Sequence, residues 1–162
     1  ASEVCEDHKC RCSDRMLNEK INVSIEENKR LNWKRFYLKI AKDFSERSHD
    51  TRLKVGCVIV TPTGVLYVGY NGNASGEPNI PDSDEPGQTG FIHSEVNALI
   101  RLNTSIDKES VMYITASPCI VCARLIINCK AIKEVYYSEE YRDLRGIELL
   151  RKNGIKCEKI EE

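Results

Sequence analysis

The sequence lacks any hydrophobic run near the ~20 residues needed to cross a bilayer, and its first residues lack the apolar core of a signal peptide. These absences argue against a membrane protein and predict a soluble, cytoplasmic one. An excess of basic residues is also missing, because 24 lysines and arginines face 25 acidic residues for a net charge of −1. Since phosphate neutralisation supplies most of the affinity for nucleic acid, we expect no nucleic-acid partner and favour a small substrate with a single phosphate.

The composition that is present suits one globular domain. The chain has 162 residues, of which 41% are hydrophobic and 30% charged. Residues 1–28 are polar and show no sustained period, so we predict an N-terminal extension followed by a folded domain over residues 29–162. The extension contains Cys5, His8, Cys10 and Cys12, but their spacing matches no common structural zinc site. We therefore favour a plain extension over a second metal site.

Hydrophobic periodicity divides the rest of the chain into elements. A helix is predicted over 30–47, and two β-branched runs over 54–60 and 65–71 predict a hairpin. A polar loop over 72–92 follows, long enough to shape or cover a site. Beyond it, predicted helices and strands alternate over 94–103, 110–116, 118–129, 132–138, 141–153 and 155–160. This order predicts a five-stranded mixed sheet with helices on both faces.

The first helix carries an apolar stripe on one side. The stripe consists of Trp33, Phe36, Tyr37, Ile40, Ala41 and Phe44. We expect its aromatic rings to lie in the core and not to form a ligand platform.

Two short motifs each stand where a helix is predicted to begin: His93-x-Glu95 and Pro118-Cys119-x-x-Cys122. The two cysteines share a helix face, and the positive end of a helix favours their thiolate form. If the two helix starts converge, one nitrogen and two sulfurs surround a common point. Three protein ligands with one open position are typical of catalytic zinc. Glu95 is then placed to move protons to and from an activated water.

Two other interpretations of the cysteine pair remain. A C-x-x-C pair is also found in redox sites, but those usually follow the first strand of a βαβ unit, whereas a hairpin and a helix precede this one. The pair also fits half of a structural zinc site, with His49 as a candidate for a further ligand. The occurrence of both motifs at helix starts favours the catalytic site.

The two motifs together match the signature of zinc nucleobase deaminases. Further segments extend the match: Val55–Val60, Gly69-Tyr-Asn-Gly72, Met112–Cys119 and Tyr141-Arg-Asp143. Over roughly residues 33–160 the sequence resembles the cytidine deaminase superfamily, and within it the deoxycytidylate (dCMP) deaminase branch. The resemblance implies a three-layer α/β/α cytidine-deaminase-like fold. It also implies hydrolysis of dCMP to dUMP and ammonia, which supplies thymidylate synthesis.

The resemblance implies a role for each site residue. Glu95 would be catalytic, and one Zn²⁺ per chain would be held by His93, Cys119 and Cys122. The backbone N–H of Ser94 would contact the pyrimidine carbonyl, and the backbone carbonyl of Ser117 would accept the amine. The sugar and phosphate would be bound by Arg52, Asn71, Tyr141 and Arg142. An arginine suits phosphate because its planar fork binds two oxygens at once. The alternatives are a solvated Arg52 and a Tyr141-Arg142 pair that only starts a helix.

The resemblance extends to partners. It implies dCTP and dTTP as effectors, with Mg²⁺, and a homo-oligomer such as a hexamer. The loop over 73–80 has neither His nor Cys, so we predict no second zinc there. Two other functions stay open: a deaminase acting on tRNA or single-stranded DNA, and a non-catalytic zinc module that binds nucleotides.

Overall fold

The structure, a computed structural model, describes residues 16, 18, 19 and 32–161. The chain divides into two units, Ala1–Asn32 and Trp33–Glu162, and the fold described below is that of the second. The cluster of Cys5, His8, Cys10 and Cys12 lies outside the described residues, and the predicted boundary at residue 28 stays a prediction. In the described part of the chain, none of the helices combines the length and the apolar character that membrane crossing needs.

Helices and strands alternate in the predicted order. In chain order they are α1 (Trp33–Ser45), β1 (Gly56–Val60), β2 (Leu66–Tyr70), α2 (Ser94–Leu99), β3 (Ser110–Ala116), α3 (Ile120–Cys129), β4 (Ile132–Glu139), α4 (Arg145–Lys152) and β5 (Lys156–Lys159). The main differences from prediction are that α2 ends at Leu99 and that α4 begins only at Arg145. At the predicted start of this helix, the backbone N–H of Tyr141 donates to the Ser117 hydroxyl at 2.7 Å.

The five strands form one mixed sheet in the order β2-β1-β3-β4-β5. Strand β1 is antiparallel to both neighbours, with Val58 opposite Val68 on one side and Tyr113 on the other. Strands β3, β4 and β5 are parallel. Helices α3 and α4 connect these parallel strands, as a parallel connection requires. The predicted mixed sheet is confirmed.

Alternation along the strands gives the sheet two different faces. On one face, Cys57, Ile59, Met112, Ile114 and Val135 form the main core with residues of the second, third and fourth helices. The helical part of this core comprises Ala98, Ala123, Ile126, Ile147 and Leu150. On the other face, Tyr113 contacts Tyr37 of α1, with ring centroids 5.2 Å apart. Helices therefore cover both faces, and the fold has three layers.

The apolar stripe of α1 is only partly buried, which corrects the expectation for its aromatic rings. Trp33 is 70% exposed and Phe36 42% exposed, whereas Leu38 and Ala41 are buried. Trp33 stacks on the outside of Tyr37, with ring centroids 5.6 Å apart. The reason is that Tyr113 and Tyr136 already stack on one another under this end of the helix. The beginning of α1 therefore packs on tyrosine rings that project from β3 and β4.

The 72–92 loop is closed at its base. Gly72 and Ile92 exchange two backbone hydrogen bonds, of 3.1 and 2.8 Å, which form an isolated antiparallel bridge. Within the loop, the N–H of Asp82 donates to the carbonyl of Thr89 at 2.8 Å. The two ends of the loop therefore lie side by side, and the second end leads directly into His93.

Candidate active site

Helix α2 carries His93 and Glu95 at its beginning. His93 is the N-cap residue, with extended backbone angles, and Glu95 lies in the first turn. Two contacts fix this turn against β2. A Cβ at Gly69 would overlap the carbonyl of Ser94 and the N–H of Ala98, and the Asn97 amide donates to the Tyr70 carbonyl at 2.9 Å. The absence of a side chain at Gly69 therefore allows the helix start to lie against the strand.

Helix α3 carries the two cysteines at its beginning. Cys119 is its N-cap residue, and the Cys119 sulfur accepts the backbone N–H of Cys122 at 3.5 Å. Pro118 is fully buried between the end of β3 and this cap. A Cβ at Gly146 would overlap the backbone carbonyls of Pro118 and Cys119. Helix α4 therefore packs directly on the cysteine turn.

These two helix starts bring three metal-binding atoms together. The Nδ1 of His93 lies 3.3 Å from the Sγ of Cys122 and 3.6 Å from the Sγ of Cys119. In a tetrahedral zinc site with ordinary bond lengths, nitrogen and sulfur ligands lie about 3.5 Å apart. All three ligand atoms are within 4.8 Å of one another, and no other described residue belongs to this group. The residues therefore fit one zinc ion with an open fourth position, and His49 is not among them.

Glu95 lies beside this group. It is only 4% exposed, and its Oε2 accepts the thiol of Cys122 at 3.4 Å. Burial raises the pKa of Glu95 to about 7. A carboxyl group with such a pKa can both accept and release a proton near neutrality. Next to it, the hydrogen bond from Cys122 lowers the pKa of Cys119 to about 4, which favours the thiolate that metals bind.

A cavity of about 460 Å³ opens onto this group, a size typical of small-molecule sites. Of the ten residues predicted for the site, nine line it: Arg52, Asn71, His93, Ser94, Glu95, Ser117, Cys119, Tyr141 and Arg142. The tenth, Cys122, is 1% exposed and contacts His93 and Glu95 from behind. The 72–92 loop contributes Pro86, Gly87, Thr89 and Phe91 to the lining. The loop thus shapes the site, as its length suggested.

Two arginines that are distant in sequence from the metal ligands also line the cavity. The Nη1 of Arg52 donates to the backbone carbonyl of Asp84 at 2.7 Å, so the loop holds this side chain. The guanidinium of Arg142 lies 5.6 Å from the ring centre of Tyr141, a cation–π distance. Tyr141 is in turn tied to the hydroxyl of Ser117 through its backbone. The cavity wall therefore combines positive charge with the metal site.

Asn71 lines the cavity, but its side-chain amide is occupied by protein. Its Nδ2 donates to Asp50 Oδ2 at 3.1 Å and to the Leu53 carbonyl at 2.8 Å. Its Oδ1 accepts the N–H of Val55 at 2.9 Å. Both amide hydrogens are thus engaged within the protein, and a contact of Asn71 with the sugar and phosphate stays a prediction.

Asp50 is a residue of this site that the sequence analysis missed. It is 9% exposed and lines the cavity. Its carboxylate accepts the N–H of Arg52 at 2.8 Å and that of Leu53 at 3.2 Å. An aspartate in a short polar segment often accepts the backbone N–H two residues on, and this general turn signal is the one that the sequence carried at Asp50.

Ser94 and Ser117 are both buried on the cavity wall. The Ser94 hydroxyl is without a hydrogen-bond partner in the part of the chain that the structure describes. The N–H of Ser117 donates to the Glu139 carbonyl at 2.9 Å, which holds the residue between β4 and the cysteine turn.

Comparison with known proteins gives a consistent picture. The profile of a family described as "Cytidine and deoxycytidylate deaminase zinc-binding region" matches residues 31–139. A probable deoxycytidylate deaminase of Caenorhabditis elegans is 32% identical over 138 residues, or 77% of this chain and 70% of that protein. The deoxycytidylate deaminase of Mycobacterium phage D29 is 30% identical over 126 residues, or 68% of this chain and 98% of that protein.

A solved structure is similar as well. The dCMP deaminase of cyanophage S-TIM5, crystallised in complex with dCMP and dUMP, has a TM-score of 0.72 and 33% sequence identity. The match covers 81% of this chain and 100% of that chain.

Proposed function

The chain belongs to the cytidine and deoxycytidylate deaminase zinc-binding family, and from this membership we propose that it hydrolyses dCMP to dUMP and ammonia. One observation carries the proposal: a His/Cys/Cys group, a buried glutamate and two arginines all belong to one cavity or its wall. The His/Cys/Cys group and the glutamate suit hydrolysis at the ring, and the arginines suit a phosphate on the substrate.

At the metal end, His93, Cys119 and Cys122 would hold one Zn²⁺. When bound, the ion supplies a Lewis acid that makes water a better nucleophile. Glu95 accepts one proton of the attacking water while a C–O bond forms at C4 of the pyrimidine, and delivers it to the ring nitrogen N3. Glu95 then moves the second proton of the water from the new hydroxyl to the amine, so that the carbonyl forms, the C4–N bond breaks and ammonia leaves. The buried position of Glu95 supports this role, because its contact with Cys122 keeps the carboxyl group beside the three metal ligands.

The backbone around the ligands suits recognition of the base. Ser94 is the first residue of α2, and the first N–H groups of a helix have no partner within it. We assign the N–H of Ser94 to the pyrimidine carbonyl. We assign the carbonyl of Ser117, at the end of β3, to the amine that is lost.

Arg52, Tyr141 and Arg142 are proposed to bind the phosphate. Guanidinium groups bind phosphate oxygens through two parallel hydrogen bonds. Both arginines line the cavity, and the loop carbonyl and the tyrosine ring that contact them limit their freedom. This part of the wall is expected to select a nucleoside monophosphate over the free nucleoside.

Initial rates of ammonia release from dCMP, CMP, deoxycytidine and dCTP test the proposal. We expect dCMP to give the highest kcat/KM. Equal kcat/KM for deoxycytidine would refute phosphate recognition, and absence of turnover on all four would leave a binding module. Steeply salt-dependent binding to tRNA or single-stranded DNA would indicate a polynucleotide deaminase instead.

The wider role is proposed on the basis of the product. Since dUMP is the nucleotide that thymidylate synthesis methylates, we propose that the chain feeds that reaction in the cytoplasm as a homo-oligomer. Control by dCTP and dTTP with Mg²⁺ is tested by repeating the dCMP assay with each effector. A change in the shape of the plot of initial rate against dCMP concentration would support such control.

A further inference from the structure

A group of hydrogen bonds along the cavity wall, away from the metal ligands, organises residues 48–55, the segment that precedes β1. The hydroxyl of Ser48 donates to the Asn71 carbonyl at 2.8 Å and accepts the N–H of Asp50 at 3.2 Å. The Asp50 carboxylate accepts the backbone N–H groups of Arg52 and Leu53. Ser48, Asp50 and Asn71 are all buried. We call these three residues the brace.

The Asn71 side chain closes the brace from the other side of the segment. It joins the second oxygen of Asp50, the carbonyl of Leu53 and the N–H of Val55. One amide therefore links three points of a short chain segment to the end of β2. A buried network in which every partner is satisfied holds its backbone rigidly.

The residue that the brace surrounds is Arg52. Its backbone N–H is held by Asp50 at 2.8 Å, and its guanidinium is held by the carbonyl of Asp84 at 2.7 Å. Its side chain itself is exposed. Arg52 is thus fixed at both ends, although it is a long side chain at the surface of a cavity.

We propose that Asp50 and Asn71 are positioning residues that fix Arg52 for binding of the substrate phosphate. This inference rests on the proposed function, because it takes Arg52 to be a phosphate ligand. Asn71 acts on Arg52 through the backbone of Leu53 and Val55 and through Asp50. Preorganising a charged group in this way avoids ordering it at the moment of binding.

The direction in which Asp50→Asn changes phosphate binding distinguishes a positioning role of Asp50 from a purely electrostatic one. Asp50 carries a carboxylate in the wall of a cavity that takes a phosphate. If it acted through charge alone, Asp50→Asn would remove a repulsion and strengthen binding of the phosphate. If it positions Arg52, the same substitution places an NH₂ group against the Asn71 amide and loosens the segment. Binding of the phosphate then weakens.

The experiment measures kcat and KM for dCMP and for deoxycytidine in the full chain with zinc. The readout is the preference, defined as kcat/KM for dCMP divided by kcat/KM for deoxycytidine. We expect Asp50→Asn to lower the preference about tenfold, as for a lost hydrogen bond to a charged group, mainly through KM for dCMP. In the Arg52→Ala background we expect Asp50→Asn to lower it no further, because coupled residues are not additive.

Matched controls separate positioning from stability. Asp107 is a buried aspartate that accepts the Tyr67 hydroxyl and the Asn103 N–H, each at 3.0 Å, and it does not line the cavity. Asp107→Asn is expected to lower Tm but to keep the preference. If Asp50→Asn does not fold, Ser48→Ala carries the test, with an expected loss of about threefold in preference. Its control is Ser110→Ala, which removes a hydroxyl bonded to the Asp107 carbonyl.

The outcomes distinguish the two proposals. An unchanged or increased preference in Asp50→Asn, or in Ser48→Ala if that variant is needed, overturns the positioning role. So does a further fall in the Arg52→Ala background. If Arg52→Ala itself keeps the wild-type preference, phosphate recognition by Arg52 is wrong, whatever Asp50 does.

Discussion

The metal end of the cavity and its arginine wall are built differently. His93, Cys119 and Cys122 lie at helix starts that are pressed against a strand or another helix at Gly69 and Gly146. The arginine wall depends on side-chain hydrogen bonds and on a loop carbonyl. Helix starts therefore position the metal ligands, while loops position the arginines that we expect to select the substrate. Such a division between scaffold and loops is common in enzymes.

This contrast makes a general prediction. Changes at the metal end should reduce turnover of every substrate alike. Changes in the arginine wall should alter the preference for dCMP over deoxycytidine. The following tests are ordered from the largest expected effect to the smallest.

Loss of the metal should have the largest effect. Chelation is expected to abolish turnover of both substrates, and added Zn²⁺ to restore it, because the ion supplies the Lewis acid. Cys119→Ser should bind less zinc, measured by metal analysis, and should not be restored. Cys129→Ser is the matched control, since Cys129 is a half-buried cysteine of the same helix outside the cavity. A fully active Cys119→Ser variant would contradict the zinc site.

Removal of the Glu95 carboxylate should have the second-largest effect on turnover. Glu95→Gln keeps the size of the side chain but cannot carry the proton, so kcat should fall by about 10²–10⁴-fold on both substrates. Metal analysis should show that zinc is retained. The control is Glu148→Gln, an exposed glutamate in the first turn of α4. If Glu95→Gln keeps wild-type kcat, another group moves the proton.

Crowding of the cysteine turn should have an intermediate effect. Gly146→Ala places a methyl group against the carbonyls of Pro118 and Cys119, and overpacking of this kind costs about 1–3 kcal/mol. We expect lower thermal stability and weaker zinc binding with an unchanged preference. Gly72→Ala is the control, because its nearest heavy atom would lie 4.0 Å away. Equal stability of the two variants would show that α4 does not support the turn.

A change in the arginine wall should have the smallest effect on turnover. Arg142→Ala is expected to raise KM for dCMP about tenfold, since a charge-assisted hydrogen bond is lost, and to affect deoxycytidine little. Arg145→Ala is the control, because Arg145 pairs with Asp143 at 2.7 Å and does not line the cavity. A parallel loss on both substrates in Arg142→Ala would remove the distinction between the two regions.

Long-range packing explains where sequence-based prediction failed. The stripe of α1 has the right period, yet Trp33 lies outside because rings from β3 and β4 occupy the space beneath Tyr37. The glycine-tyrosine-asparagine turn marked Asn71 as part of the site. Its partners Asp50 and Leu53 lie 21 and 18 residues away in sequence. No local pattern shows that its amide is already bonded.

The sequence by itself determined the donor set and the order of the elements, because a helix start, a β-branched run and a C-x-x-C spacing depend on neighbouring residues. Only the tertiary structure decided that the His93 nitrogen and the two sulfurs lie within 3.3–3.6 Å, and that Asn71 serves the protein backbone. His93 and Cys122 are 29 residues apart. Their meeting depends on how β2, β3 and α4 pack, which is a property of the whole sheet and not of either motif.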